Sequence, residues 1–198
     1  MEIVLASASP RRLELLTSIG LDVRVYPSAY GEPDDPEATP LELARRHARA
    51  KAHDVRASIG DRSLIVAADT VVDLDGVALN KPLDETDAVR MLSLLSGREH
   101  QVHTAFALAV PGAPELVEEH STTRVLVSPL SAGEIADYVA TGEPMDKAGS
   151  YGIQGRAASL VESISGDFYT VMGFPLARFI RTLRRLGFSL PITKKTPK

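Results

Sequence analysis

The chain contains no cysteine. Disulfides, thiolate nucleophiles and thiolate metal sites are therefore excluded, and the composition suits a reducing compartment. An excess of positive charge is missing too: 22 basic and 26 acidic side chains give a formal net charge of −4. A general nucleic-acid binder depends on neutralising phosphates, so that class is disfavoured, whereas a local basic site for a small anion is not. No apolar run approaches the roughly 20 residues needed to span a membrane. The opening Met1-Glu2-Ile3-Val4-Leu5-Ala6 is short, carries an acid and runs into Pro10-Arg11-Arg12, so it reads as a first strand and not as a signal peptide. A soluble, cytoplasmic protein without a nucleic-acid or membrane partner is expected. Neither a G-x-x-x-x-G-K-[ST] phosphate loop nor an H-E-x-x-H zinc helix occurs, and Asp73-Leu74-Asp75-Gly76 lacks the rest of a calcium loop. Internal repeats and flexible linkers are also absent.

What is present suits an α/β protein. Hydrophobic residues make up 44% of 198, enough for a sizeable core. The pattern predicts one domain over residues 1–190 and a disordered tail over 191–198. Apolar runs and helical stripes alternate from the start. Residues 3–6 form a first strand; Ser9 then stands as an N-cap with Pro10 at the first helical position, and Gly20 closes the helix. Residues 26–37 are polar and turn-rich, hence a loop. Thr39-Pro40-Leu41-Glu42 is a capping box opening a long helix through Lys51. Residues 64–68 are a buried-strand run ending at Asp69, and Asp75-Gly76 between Val71-Val72 and Val77-Ala78-Leu79 signals a hairpin. Asp84 caps a helix with the stripe Ala88, Met91, Leu92 and Leu95. Strands over 102–110 and 116–127 flank a Pro-Gly-Ala-Pro turn, and a second capping box at residues 131–134 opens another helix. A glycine-rich loop covers 142–155. The last helix starts at Pro175 and buries Leu176, Phe179, Ile180, Leu183 and Leu186.

Ser7-Ala8-Ser9-Pro10-Arg11-Arg12 is the first segment that carries chemistry. A strand feeds a tight polar turn and a helix start, where free backbone N–H groups and the helix dipole favour anions. Two arginines there each cost a few tenths of a kcal/mol unless something negative lies nearby. A phosphate would satisfy donors and guanidinium groups together. The alternative is ordinary capping by Ser9 beside two solvated arginines.

Asp69 ends an apolar run, where a carboxylate is expensive to bury without a partner. It is read as a metal ligand or general base at a strand's C-terminal edge, or else as an Asx turn that starts the hairpin. Glu32 supplies a candidate second carboxylate, and hard Mg²⁺ or Mn²⁺ prefers such oxygen ligands together with substrate phosphates. Lys51, Lys81 and Lys147 are candidate phosphate contacts. Lys81, ahead of Pro82 in a rigid turn, is the strongest of these, and Lys51 on its helix is the one most readily explained as solvated. His100 and His103 lie three apart on a strand and so point to opposite faces, which disfavours a shared metal. Arg178, Arg181, Arg184 and Arg185 read as a solvated helix face.

Taken together, these segments resemble the Maf family of nucleotide pyrophosphatases over nearly the whole chain. The matching blocks are residues 7–12, Ala68-Asp69-Thr70-Val71-Val72, Lys81-Pro82, and the runs 96–104, 142–155 and 171–176, in that order. The resemblance implies an elongated α/β fold of two lobes around a central mixed β-sheet flanked by helices, as in Maf and ITPase proteins, and commonly a homodimer. It implies hydrolysis of dTTP and UTP to the monophosphate and diphosphate, by water attack at the α–β phosphoanhydride with a divalent metal (Mg²⁺, Mn²⁺ or Co²⁺). Carried over by position, Asp69 is the proton acceptor, and Ser7, Arg11, Arg12, Glu32, Lys51 and Lys81 form the phosphate and metal site. Arg11, Thr70 and Gln154 match positions that set base preference in the dTTP/UTP subgroup; the subgroup acting on 7-methyl-GTP carries Trp, Gln and Glu there. A side-chain amide can pair with the N3–H and O4 edge of uracil or thymine, but it could flip to suit cytosine, so neighbours must fix its orientation. The chain departs from the family's usual pattern at His47, Asn80, Thr170 and Phe174. A rival reading from another class is a nucleotide-binding regulator linked to cell division, with little catalysis.

Overall fold

The structure, a computed structural model, is described for residues 2–188, so the expectation for the 191–198 tail lies outside the described residues. Its frame is a seven-stranded mixed sheet. In chain order the elements are β1 (Ile3–Leu5), α1 (Pro10–Ser18), β2 (Val23–Val25), α2 (Pro40–Ile59), β3 (Leu64–Leu74), β4 (Val77–Leu79), α3 (Glu85–Leu95), β5 (Glu99–Ala109), β6 (Leu116–Val127), α4 (Ala132–Val139), β7 (Val161–Ser165), α5 (Phe168–Met172) and α6 (Leu176–Arg185). Strands run β2-β1-β3-β5-β6-β7, with β4 paired to β3. The first three of these are mutually parallel, and the remaining pairings are antiparallel. No helix among the described residues is long and apolar enough to cross a membrane.

Local chemistry explains the element ends. The Thr39 hydroxyl accepts from Glu42 N–H while the Glu42 carboxylate accepts from Thr39 N–H, and Ser131 and Glu134 repeat this arrangement. Each such box satisfies two helix-end donors that would otherwise be orphaned. Asp75 and Gly76 both have positive φ, 54° and 84°, inside the Leu74–Val77 closing pair, the two-residue turn whose twist matches a hairpin. One expectation is corrected: the strand containing Asp69 does not stop there but continues to Leu74. It continues because β5 pairs with it without interruption from Ile65 to Asp73. Likewise β5 begins at Glu99 and not at residue 102.

Alternation along β3 distributes the core. Leu64, Val66 and Ala68 face α1 and α6, where they pack with Leu5, Leu16, Phe106, Phe174 and Phe179. Ile65, Ala67 and Val71 face α2 and pack with Leu43, Ala44, Ala48, Ala52 and Val55. Farther along, Val72 and Leu74 join α3, α4 and Tyr151 in a third cluster. Asp69 and Thr70 fall between these clusters, on opposite faces of one strand.

The edges of β3 are unequal. One is covered by β5; the other is shared, with β1 pairing at residues 64–66 and β4 at residues 72–74. Ala6 N–H makes the last bond from the β1 side, to the Val66 carbonyl at 2.8 Å. Residues 67–71 therefore have no strand beside them on that edge, and the chain segments that leave β1 and β4 diverge around the gap.

Phe106, Phe174 and Phe179 are at most 1% exposed, with ring centroids 5.0–5.8 Å apart. Truncating Phe179 to Ala is expected to cost about 3–5 kcal/mol, because a close-packed core collapses only partly around a lost ring. Urea denaturation should show the midpoint falling with little change in slope.

Candidate active site

The gap beside β3 opens into a cleft of about 610 Å³, a volume suited to a small-molecule ligand. Its walls carry Arg11, Arg12, Lys51, Lys81 and Lys147 together with Glu32, Asp34, Asp69 and Asp146. Cations thus outnumber carboxylates by one in a chain whose formal net charge is −4.

Lys51 holds the centre. The face that α2 buries runs Leu43, Ala44, His47, Ala48, Lys51, Ala52 and Val55, so Lys51 occupies a core position of the helix. Its ammonium lies 2.7 Å from Asp69 Oδ1 and 2.6 Å from Glu32 Oε1. The Lys51 and Asp69 side chains are 8% and 9% exposed, while Glu32 is about half exposed. Partial burial works to raise the Glu32 carboxyl, but the Lys51 hydrogen bond and charge, with help from Lys81, hold it below its usual value. The two lysines thus stand in the opposite order of burial to that expected from the sequence. Lys51 is the buried one, because its position in the apolar stripe of α2 outweighs the local helix context. Lys81 is exposed at the rim and makes no hydrogen bond among the described residues.

On the opposite face of β3, Arg12 turns back from the start of α1 into the protein. Its Nε donates to the Gly173 carbonyl at 3.0 Å, Nη1 to Ser7 Oγ at 3.0 Å and Nη2 to Thr70 Oγ1 at 3.2 Å. Thr104 Oγ1 donates to the Thr170 carbonyl at 2.7 Å, so it accepts from Thr70 Oγ1, 2.9 Å away. The result is a one-way chain of donors from Arg12 through two threonines to a carbonyl. Such chains polarise and fix their members. Burial pulls the Arg12 guanidinium below its ordinary value; Asp69 and Glu32 oppose this, and the charge of Arg11 adds to it. Neither arginine is simply solvated, and the Ser9 side chain makes no cap bond. Ser9 instead donates its N–H to Ser7 Oγ at 3.2 Å. The alternative of a Ser9 cap beside free arginines is thus set aside.

Arg11 reaches across the cleft mouth to Asp146 at 2.8 Å, and Asp146 also pairs with Lys147 at 2.7 Å. Gln154 is exposed and lines the wall beyond. The structure brings all ten sequence-selected residues (Ser7, Arg11, Arg12, Glu32, Lys51, Asp69, Thr70, Lys81, Lys147 and Gln154) onto this cleft. Direct contacts join them in two groups, Ser7–Arg12–Thr70 and Glu32–Lys51–Asp69, one on each side of β3. Asp146, Tyr30 and Tyr151 were missed as lining residues. His47 and Asn80, noted only as departures from the family pattern, also line the cleft and help fasten the loop that carries Glu32. Tyr30 Oη lies 3.2 Å from His47 Nδ1, Asn80 Nδ2 donates to Asp34 Oδ1 at 2.6 Å, and Arg46 pairs with Asp35 at 2.7 Å. The signal available for His47 was again its place in the buried stripe of α2.

His100 and His103 do point to opposite faces. His100 Nε2 meets Tyr151 Oη at 2.6 Å, whereas His103 lies between Asp73 (3.0 Å) and Thr122 (2.8 Å). Among the described residues no group of three or more His, Asp or Glu side chains could together hold a metal.

A family model described as "Maf-like protein" matches residues 2–186. The chain is 47% identical over 187 residues to the dTTP/UTP pyrophosphatase of Koribacter versatilis, covering 94% of this chain and 95% of that one. It is 47% identical over 189 residues to the Symbiobacterium thermophilum protein of the same name, covering 96% of each. A Geobacter sulfurreducens dTTP/UTP pyrophosphatase is 48% identical over 185 residues, covering 93% of this chain and 96% of its own. Among solved structures, a nucleoside-triphosphatase (dITP/XTP pyrophosphatase) from Mycobacterium abscessus is 19% identical with a TM-score of 0.49, over 94% of this chain and 98% of that one.

Two outcomes follow from the buried charges. Lys51→Met strands Asp69 without its cation and should cost about 3–5 kcal/mol in chemical denaturation, and Lys51→Met with Asp69→Leu should recover most of that loss. A single variant as stable as the parent would contradict the pairing. Burial lowers His100 to about 4 from the usual 6.5. Between those values the unfolded chain binds more protons than the folded one, so this contribution, present above pH 6.5, is lost as pH falls towards 4. The loss is about 3 kcal/mol. His100→Gln should flatten that part of the stability–pH curve.

Proposed function

The chain belongs to the family of Maf-like proteins, and on that premise we propose that it is a nucleoside triphosphate pyrophosphatase acting on dTTP and UTP. The observation that carries this reading is the pairing, in one cleft, of a buried carboxylate held by a lysine with a cluster of arginines and lysines suited to a polyphosphate. Water adds at the α-phosphorus, the bond to the bridging oxygen breaks, and the products are the nucleoside monophosphate and diphosphate. Cations placed where charge gathers on the departing diphosphate lower the barrier electrostatically.

Asp69 is the proton acceptor. Lys51 occupies its Oδ1, and Oδ2 has no partner among the described residues, leaving one oxygen to orient and deprotonate a water. Arg12, fixed by Ser7, Thr70 and the Gly173 carbonyl, presents its charge from a rigid seat. Arg11, Lys81 and Lys147 sit nearer the mouth and take the outer phosphates, with Asp146 displaced from Arg11 and Lys147 as the polyanion arrives. Thr70 and Gln154 face the base.

The carboxylates beside Lys51 form a pair, Glu32 and Asp69, and not a cage. Mg²⁺-like ions are commonly held by one or two carboxylates and the substrate's own phosphates, so this donor set fits Mg²⁺, Mn²⁺ or Co²⁺ brought in with the nucleotide. When bound, such an ion neutralises charge on the phosphate oxygens. The reading places the enzyme in the cytoplasm, where nucleoside triphosphates are available, and as a homodimer.

Asp69→Asn should retain the fold and reduce diphosphate release from dTTP by a factor of about 10² or more, the usual contribution of a positioned base. Near-normal turnover would remove Asp69 from the role. A panel of dTTP, UTP, CTP and 7-methyl-GTP, with products identified, should show the first two preferred. Tight nucleotide binding without diphosphate release at any metal concentration would instead support the regulator reading.

A further inference from the structure

Thr70 and Thr104 stand directly opposite each other where β3 pairs with β5. Cross-strand threonines bond through their hydroxyls, and here the direction of each hydrogen is determined. The Thr170 carbonyl can only accept, so the single Thr104 hydrogen goes to it, at 2.7 Å. Thr104 then has none left for Thr70, and the 2.9 Å contact between the two hydroxyls is closed by the Thr70 hydrogen. The Arg12 guanidinium can only donate, and it takes one Thr70 lone pair at 3.2 Å. What Thr70 keeps for the cleft it lines is one lone pair and no hydrogen. Thr104 is fully buried, so reversing the chain would leave it facing a carbonyl with no hydrogen between them. Gly173 keeps the space beside the Thr70 hydroxyl clear, since a β-carbon there would come within 3.4 Å of Oγ1.

An acceptor of this kind refuses a phosphate oxygen and receives an N–H or an O–H. The Thr70 side of β3 also brings Ile153 and Met172 of the core to the cleft surface, an apolar bed suited to a flat base. Uracil and thymine, joined to the sugar through N1, carry one N–H, at N3. Cytosine carries a lone pair there. An exposed amide such as Gln154 can turn to suit either base, so selection falls to a group that cannot turn.

We propose that Thr104 is a positioning residue for base selection: by taking the Thr70 hydrogen it leaves Thr70 a fixed acceptor, which receives the N3–H of uracil or thymine and repels the N3 lone pair of cytosine. The inference rests on the nucleotide pyrophosphatase reading given above, with the base lying against Thr70.

The test is diphosphate release by the full chain from UTP, CTP and 3-deaza-CTP, a cytidine analogue with a C–H in place of the N3 lone pair. The parent is expected to prefer UTP to CTP, and to show a kcat/KM for 3-deaza-CTP about tenfold above that for CTP, because the repulsion is gone. Thr104→Val preserves shape, and the Thr170 carbonyl keeps its bond from Gly173 N–H at 3.1 Å, but the Thr70 hydrogen loses its acceptor and turns to the cleft. Its UTP-to-CTP ratio of kcat/KM should fall about tenfold with the CTP value rising, a gain that a merely structural loss would not produce. Thr104→Ser keeps the hydroxyl and should keep the parent's ratio. In a Thr70→Val background, Thr104→Val should leave the ratio unchanged, as expected of two residues acting through one hydrogen. Equal losses on both nucleotides in Thr104→Val, with the ratio intact, would overturn the proposal. So would a parent indifferent to the N3 replacement, a result that needs no folded variant. If the parent released no diphosphate from any of the nucleotides, the underlying function would fall with it. A discriminating parent whose ratio ignores Thr104 would sink only the positioning role.

Discussion

A lysine ammonium removed from water between two carboxylates is the interaction on which the rest of this molecule turns. Ions are costly to bury, and the cost is offset only when opposite charges meet at close range with good geometry. Lys51 meets Asp69 and Glu32 at 2.7 and 2.6 Å, and the three come from a helix, a strand and a loop. That one contact therefore ties α2, β3 and residues 26–37 together. It also gives the buried Asp69 carboxylate the opposite charge that its burial requires. Under the proposed function, stability and chemistry share the same three side chains.

The sheet supplies the room. Because β1 and β4 pair with separate stretches of the same β3 edge, a cleft appears in mid-strand and not beyond the end of the sheet. Alternation then places Asp69 with α2 and Thr70 with α1, so one strand presents a carboxylate to one side and a seat for a guanidinium to the other. The Arg12–Thr70–Thr104–Thr170 chain carries the order of the site down into the β5 side of the sheet, to the short helix α5 ahead of Gly173.

Much of this was legible in the amino-acid sequence, for definite reasons. Capping boxes at Thr39 and Ser131 and the Asp75-Gly76 turn are short-range chemistry, and each appears as read. Asp69 stood out because a carboxylate inside an apolar run demands a partner. Three elements were not foreseen. Val23–Val25 is only three residues long, Phe168–Met172 only five, and Val161–Ser165 pairs with β6 across a register shift at Leu126/Val127 that breaks the period-two signal. Lys51 is masked in the sequence because its helical neighbours are largely polar, and only its place in the buried stripe of α2 gives it away. The Arg11–Asp146 pair joins residues 135 apart in sequence, and no local pattern announces such a contact.

The interrupted edge of β3 also bears on how the molecule behaves in company. Unpaired strand edges invite another polypeptide to add itself, the usual route to fibrils and swapped assemblies. Here the vacancy spans only residues 67–71, with β1 closing one end and β4 the other. A foreign strand entering it would run into existing ladders after a bond or two, and it would have to displace charged side chains to get that far. An opening wide enough for a small anion is thus too short for a chain, so the cleft can face solution without offering a strand edge to a neighbour.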